Sequence, residues 1–233
     1  MSDRDAVRTL KLAAQQAGVQ FEIDENLDAF AKAKAELGKG EVTRIFEADR
    51  TIGPGFWLPI REIADGQLVG LQAVRLWNEN FPDLWTHMLV HRDLYPPVGM
   101  PIDPERSEIH SAVAREMNGS IAYHGEFYLL PTTQGRGLGP ILFRLAQVVA
   151  SVLYAPDILF GLTGTANTNP RFAHKMGYQS FEPNAVTWRD GDGSETEIEG
   201  LVWSGRARLR QLCQDPLGDL EVAAPAVRRV GLV

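Results

Sequence analysis

Apolar positions along the chain fall into two spacings, one helical and one strand-like. Over residues 5–17, Ala6, Leu10 and Ala13/Ala14 return at helical spacing and Gly18 follows, which predicts an amphipathic helix with a stop. Residues 26–37 read as a second helix, ended at Gly38-Lys39-Gly40. Residues 56–63 and 67–77 are β-rich runs on either side of Ala64-Asp65-Gly66, the pattern of an antiparallel hairpin. Pro59 puts the first of these strands at a sheet edge or a bulge. Residues 82–92 read as a helix broken by Tyr95-Pro96-Pro97. Residues 104–117 read as another, opened by Pro104 and stopped near Asn118-Gly119. A long strand is predicted at 120–130, ended by Pro131. The helix at 139–154 has Ile141, Leu142, Leu145, Val148, Val149 and Val152 as its buried face. Residues 158–163 form a short apolar strand of the fully buried type. A short helix at 169–176 ends at Gly177. Residues 185–189 and 195–203 flank Asp190-Gly191-Asp192-Gly193-Ser194 as a second hairpin, and a basic helix at 206–212 precedes the tail.

These elements divide the chain into three parts: a helical N-terminal segment at 1–50 packed on the core, an α/β domain at 51–204 with an insertion at about 78–118, and a C-terminal helix and tail at 205–233. The most informative stretch lies in the middle part. Residues 126–140 read strand, glycine-rich turn, helix, with Gln134-Gly135-Arg136-Gly137-Leu138-Gly139 at the turn. Glycines let backbone approach a ligand and take positive φ. The start of a helix leaves unpaired N–H groups and a partial positive charge. Together they make an anion site suited to phosphate or pyrophosphate. No Lys follows the glycines, so the P-loop pattern is absent. The spacing G-x-G-x-G is not the dinucleotide fingerprint G-x-G-x-x-G either.

The spacing Gln134-x-x-Gly137-x-Gly139 instead resembles the acyl-CoA motif of the GNAT superfamily of N-acyltransferases. The context extends the likeness: Pro131 at the strand end, the hairpin at 56–77 as the family's second and third strands, the strand at 158–162, and Asn167-Thr168-Asn169 leading to Gly177-Tyr178. The resemblance covers about residues 55–204. It implies an α/β fold of GNAT type, a mixed and mostly antiparallel sheet flanked by helices. It implies acetyl-CoA as acyl donor. The pyrophosphate would be held by the backbone of Gln134, Gly135, Arg136, Gly137, Leu138 and Gly139, with Arg136 available to pair with phosphate. A backbone N–H near Leu129 or Leu130 would polarise the thioester carbonyl, and Asn167 or Asn169 would contact CoA through its side chain.

The reaction implied is direct attack of an amine on the thioester. An alkylamine arrives protonated, with a pKa of about 10.4, and needs a base. On the strand at 120–130, His124 and Glu126 are two apart and are expected to share a face. Glu126 is the first candidate for the base and His124 the second. Many members of the family carry a Tyr that protonates the leaving thiolate; here that position is Ala173, and the adjacent His174 is the candidate substitute. Tyr178 reads as packing. The insertion at about 78–118 is expected to shape acceptor choice. A non-catalytic acyl-CoA-binding or sensing module, and transfer of a longer acyl group, are the alternative readings.

Other motifs carry less. His87 and His91 are spaced i,i+4, but without an intervening Glu or a nearby Cys they read as a packed or surface pair rather than a metal site. Asp190-Gly191-Asp192-Gly193 lacks the later Glu of a calcium loop. Trp57, Trp77 and Trp85 fit either a core or an acceptor pocket. Composition then sets the class: 233 residues, 44% hydrophobic and 23% charged, suit a globular chain and exclude a disordered or collagen-like one. The net charge of −7 argues against nucleic-acid and anionic-membrane partners. The single Cys213, no apolar leader and no spanning run predict a cytoplasmic protein without metal. The expected partner is a small-molecule or peptide amine, with a homodimer as a compatible assembly.

Overall fold

The computed structural model describes residues 3–48, 52–77, 81–164, 169–218 and 220. The elements in chain order are α1 (Asp3–Gln16), β1 (Val19–Phe21), α2 (Leu27–Glu36), β2 (Gly55–Glu62), β3 (Leu68–Leu76), α3 (Leu84–Val90), β4 (Glu108–Ile109), β5 (Ile121–Leu129), α4 (Leu138–Tyr154), β6 (Ile158–Gly164), α5 (Pro170–Lys175), β7 (Ser180–Arg189), β8 (Glu195–Gly205) and α6 (Arg206–Gln214). The strands form one eight-stranded sheet in the order β1-β2-β3-β5-β6-β8-β7-β4. Only β5 and β6 pair in parallel among the described strands; the other neighbours are antiparallel. This is the mixed, mostly antiparallel α/β fold that the resemblance implies.

The two faces of the sheet are buried by different layers. One face packs on α1, α4 and α6 through Ala6, Leu10, Leu142, Leu145, Val149, Leu209 and Leu212. The helical spacing read from the sequence places these side chains inward. Val152 is the exception on α4: it is 39% exposed. The other face packs on α2, α3 and the connections around them through Phe30, Ile45, Phe46, Leu84, Met88, Tyr95 and Met117. The insertion between β3 and β5 therefore covers one face only.

Several expectations are corrected. The helix expected at 104–117 is instead two short 3₁₀ turns, Pro104–Arg106 and Val113–Glu116, on either side of β4. The free edge of β7 supplies the reason. Its backbone pairs with Glu108 and Ile109, and Ala185 O accepts from the His110 and Ser111 N–H groups, which a helix would have used internally. Of the two settings expected for Pro59, β2 is not an edge strand, but its pairing with β3 does shift register next to it, between Ile60 and Arg61. Pro59 falls between two outer contacts, the Asp24 bridge to Trp57 and the start of β1 pairing at Ile60, where no outer ladder bond is lost. β7 begins at Ser180, five residues earlier than expected, and passes through an irregularity between Glu182 and Val186, with Asn184 at φ 52°. The hairpin loop at 190–194 closes on itself through Asp190, whose Oδ1 accepts from Asp192 and Ser194 N–H groups.

Candidate acyl-transfer site

The glycine-rich turn enters α4 as the sequence requires. Gly135 and Gly137 lie at φ 80° and 76°, in the left-handed region. A Cβ at either would meet nothing within 4 Å, so both open onto free space. Gly137 is the N-cap residue of α4, and the first amides of that helix, Leu138 and Gly139, have no acceptor within it. Gln134 braces the turn from behind, its Nε2 donating to Leu129 O at 3.1 Å. The turn borders a groove of about 470 Å³ that Tyr128, Leu129, Thr133, Pro140 and Lys175 also line. Thr133 is fully buried and its hydroxyl has no hydrogen-bond partner. A buried, unsatisfied hydroxyl beside unpaired helix amides suits an oxygen-rich anion.

A cleft lies next to the groove. β5 and β6 pair only from Ile121↔Ile158 to Tyr123↔Phe160 and then separate. The space between them, about 420 Å³, is lined by Gly125, Phe127, Phe143, Gly161, Thr163 and Tyr178 among others. Phe127, Gly139 and Met176 line both spaces, so the two adjoin. Along the free edge of β5 the backbone is available. Leu130 N–H donates to Val69 O at 2.8 Å on the β3 side, so strand alternation turns the Leu129 N–H toward the opening. Of the two amides expected near the thioester, Leu130 is thus committed to the sheet and Leu129 turns toward the groove.

The expected pairing of His124 and Glu126 on one face does not hold. A β-bulge intervenes: Leu71 faces Tyr128 and Ala73 faces Gly125, so Gln72 spans both Glu126 and Phe127. Glu126 takes φ 59°, and the extra residue reverses the side-chain parity. His124 points to the α4 face and Glu126 to the α2 face. There Glu126, which also lines the cleft, is engaged on both oxygens. Its Oε2 lies 2.6 Å from Lys34 Nζ. Its Oε1 accepts from the Thr43 N–H at 2.6 Å and from the Thr43 hydroxyl. A carboxylate holding an ammonium and two further donors is a clamp before it is a base.

His124 is buried and sits in a chain whose proton positions follow from one fixed group. Leu142 O can only accept, so Gln72 Nε2 donates to it at 2.8 Å and Gln72 Oε1 must face the imidazole. His124 Nε2 therefore carries the proton and donates to Gln72 at 3.0 Å. Nδ1 accepts from the Tyr178 hydroxyl at 2.7 Å. Burial drives the His124 pKa down to about 3 and raises that of Tyr178, so both stay neutral. The Tyr178 hydroxyl lies at the point where the strands part, 3.4 Å from where a Cβ of Gly161 would stand. The sequence reading of Tyr178 as packing missed this polar end.

The remaining expected residues are more dispersed. Arg136 reaches Glu62, with Nη2 2.9 Å from its Oε1 and Nη1 3.1 Å from its Oε2. Any phosphate must compete with that carboxylate, whereas Lys175 lines the groove directly. Asn169 caps α5, its Oδ1 accepting from Phe172 N–H at 2.8 Å. His174 is exposed on α5 and does not line the cleft. Asn167 lies outside the described residues. His87 and His91 are part of an aromatic cluster with Trp77 and Phe81, and His87 Nε2 is 2.5 Å from the Tyr95 hydroxyl. No group of three or more potential metal ligands occurs among the described residues. No described helix is long and apolar enough to cross a membrane.

Three buried groups set an acid response. His124, by burial, and His87, by burial and then by the neighbouring His91, are lowered from 6.5 to about 3. They bind fewer protons folded than unfolded in that window, so their contribution is complete above 6.5 and is lost as the pH falls toward 3. Glu199 is raised from 4.5 to about 7, mainly by burial and then by Glu197, against the Trp188 hydrogen bond. Its contribution is complete below 4.5 and is lost as the pH rises through 7. Two groups outweigh one. From these three, stability is expected to fall by about 1.4 kcal/mol per pH unit below 6.5, and about twice that below 4.5. Thermal unfolding followed from pH 7 to 4 checks this, and His124→Gln should flatten the slope.

No family model matches the chain, and no curated protein does. Among solved structures it is similar to Arabidopsis thaliana NAA60 in complex with acetyl-CoA, at 11% identity and a TM-score of 0.48, over 80% of this chain and 98% of that one. It is also similar to the spermidine N-acetyltransferase from Vibrio cholerae, at 10% identity and a TM-score of 0.45, over 82% of this chain and 95% of that one. At such identities the activity has to be read from the residues of the site itself.

Proposed function

We propose that the chain is an N-acetyltransferase that transfers an acetyl group from acetyl-CoA to a primary amine by direct attack. The observation that carries this reading is that the glycine-rich groove adjoins the cleft between β5 and β6 across Phe127, Gly139 and Met176. A pyrophosphate at the turn and an extended thiol arm along the free edge of β5 would leave the thioester where the strands part. The Leu129 N–H, five residues along β5 from His124, would meet the thiol arm on its way to the cleft. The Tyr178 hydroxyl borders the cleft and would protonate the leaving sulfur by turning its O–H away from His124 Nδ1. The turn, α4 and α5 all occupy one face of the sheet, so the amine approaches from the other. That is the face covered by α2 and by the 78–118 insertion, which therefore becomes the element that selects the acceptor.

One observation favours the second reading, a non-catalytic acyl-CoA-binding module: the expected base, Glu126, has both oxygens filled. Thermal unfolding with CoA, acetyl-CoA, ATP and NADH tests the shared part of both. A CoA ligand at a hundredfold excess over Kd should add about 2.7 kcal/mol, a rise in Tm of about 5–10 °C for a chain of this size. ATP and NADH should give none. No shift with CoA would reduce the Gln134 to Gly139 segment to a structural turn and end both readings. Binding without amine turnover would select the module.

A further inference from the structure

On the amine-facing side of the sheet, Glu126 is spent on Lys34 and Thr43, yet an alkylamine arriving as a cation must lose a proton there. β8 carries two more carboxylates on that face, Glu197 and Glu199, in line with the buried Leu201. Glu199 is 9% exposed, and its Oε2 accepts from Trp188 Nε1 at 2.7 Å. No donor to its Oε1 occurs among the described residues. In register Glu199 lies directly beside Gly164 of β6, and Gly164 lines the cleft. At the level of Gly164, β5 no longer pairs with β6. Gly164 itself puts no side chain between Glu199 and the cleft. A Cβ built there would instead stand 3.1 Å from Glu197 Oε1, its single close neighbour. Across the cleft the Tyr123 hydroxyl lies over Gly125, where a Cβ would come within 3.1 Å of it.

Resting on the acyltransferase reading, we infer that Glu199 takes the proton of the incoming ammonium group, with Glu197 beside it drawing the cation to the cleft wall. The acceptor class is thus a protonated aliphatic amine. The step balances within the groups named. The ammonium gives one proton to the Glu199 carboxylate. The freed nitrogen pair bonds to the thioester carbonyl carbon, and the C–S bond breaks. The second nitrogen proton is lost as the amide forms and passes to the leaving thiolate, making it a thiol. Glu199 returns its proton to water. The groups that face Glu199 are Glu197 on its own strand, Trp188 on β7 and Tyr123 on β5, with the Glu126–Lys34 pair beyond Tyr123. Burial and Glu197 hold its pKa up to about 7, near the optimum for a base at neutral pH.

The test compares two amines with acetyl-CoA at neutral pH. n-Propylamine arrives protonated and needs a base; trifluoroethylamine is a weak base and arrives neutral. Glu199→Gln keeps an acceptor for the Trp188 N–H, so the fold is expected to survive. It should lower kcat/KM for n-propylamine a hundredfold or more and change that for trifluoroethylamine by less than threefold. Glu126→Gln should affect both amines alike. Equal losses for both amines in Glu199→Gln, or the differential loss in Glu126→Gln, would overturn the assignment. Thermal shifts by CoA separate the layers. CoA binding with neither amine turned over overturns the proposal and leaves the donor site standing. Absence of CoA binding removes the reading beneath it.

Discussion

Tyr178→Phe is expected to lower turnover of an alkylamine about a hundredfold while leaving the CoA thermal shift intact. The magnitude is that of a lost positioned proton donor. The separation of the two effects follows from geometry: the phenol oxygen lies where β5 and β6 part, at the inner end of the cleft, whereas the glycine-rich turn is at the outer end. The same substitution leaves His124 Nδ1 buried without its donor, at 2.7 Å from where the hydroxyl stood. That should cost about 1–3 kcal/mol of stability. Steady-state kinetics on the folded variant, together with its unfolding midpoint, check both numbers. Full turnover would assign the hydroxyl to the core alone. His124→Gln serves as the companion. It disturbs how the phenol is held without removing it, so a smaller loss of kcat than in Tyr178→Phe is expected.

Lys34→Met is expected to produce the largest loss of stability of any single change considered. The Lys34 and Glu126 side chains are 9% and 10% exposed, and removing one leaves the other charge buried without its counter-ion. Broken buried pairs cost about 3–5 kcal/mol, a fall in Tm on the order of 10 °C for a chain of this size. The double change Lys34→Met with Glu126→Gln should recover part of that loss, because the uncompensated charge is gone. A strictly additive double mutant would show that the pair is not coupled. The recovered variant is also the cleaner test of Glu126 in turnover, since it separates the clamp from the chemistry.

Much of this was legible in the sequence. The helical stripe of α4, the glycines that need positive φ, and both hairpins follow from local rules, and each agrees with the fold. What escaped did so for physical reasons. β1 and β4 have three and two residues, too few for any period to show. The face of Glu126 was misread because alternation counts residues, and a bulge adds one without changing the count; Gly125 was the sole hint. The role of Tyr178 was hidden because hydropathy records its ring and not its hydroxyl. Glu199 shares its face with Glu197 on one side and buried Leu201 on the other, so no alternation rule marks the point at which the carboxylates pass from solvent to interior.

The clamp on Glu126 also bears on how this chain can be divided. Thr43 and Lys34 come from the segment that precedes the sheet's central strands, and they hold a residue at φ 59° in the wall of the cleft. The N-terminal segment is therefore not a detachable appendage. Trimming the chain to begin at residue 51 would strip the bulge of its ammonium and both Thr43 donors at once, and would lay bare the Phe30 and Phe46 side of the core. A minimal catalytic fragment would have to start before α2. A graft of residues 51–204 onto another scaffold would carry the glycine-rich turn intact but a cleft whose bent strand has lost its anchor.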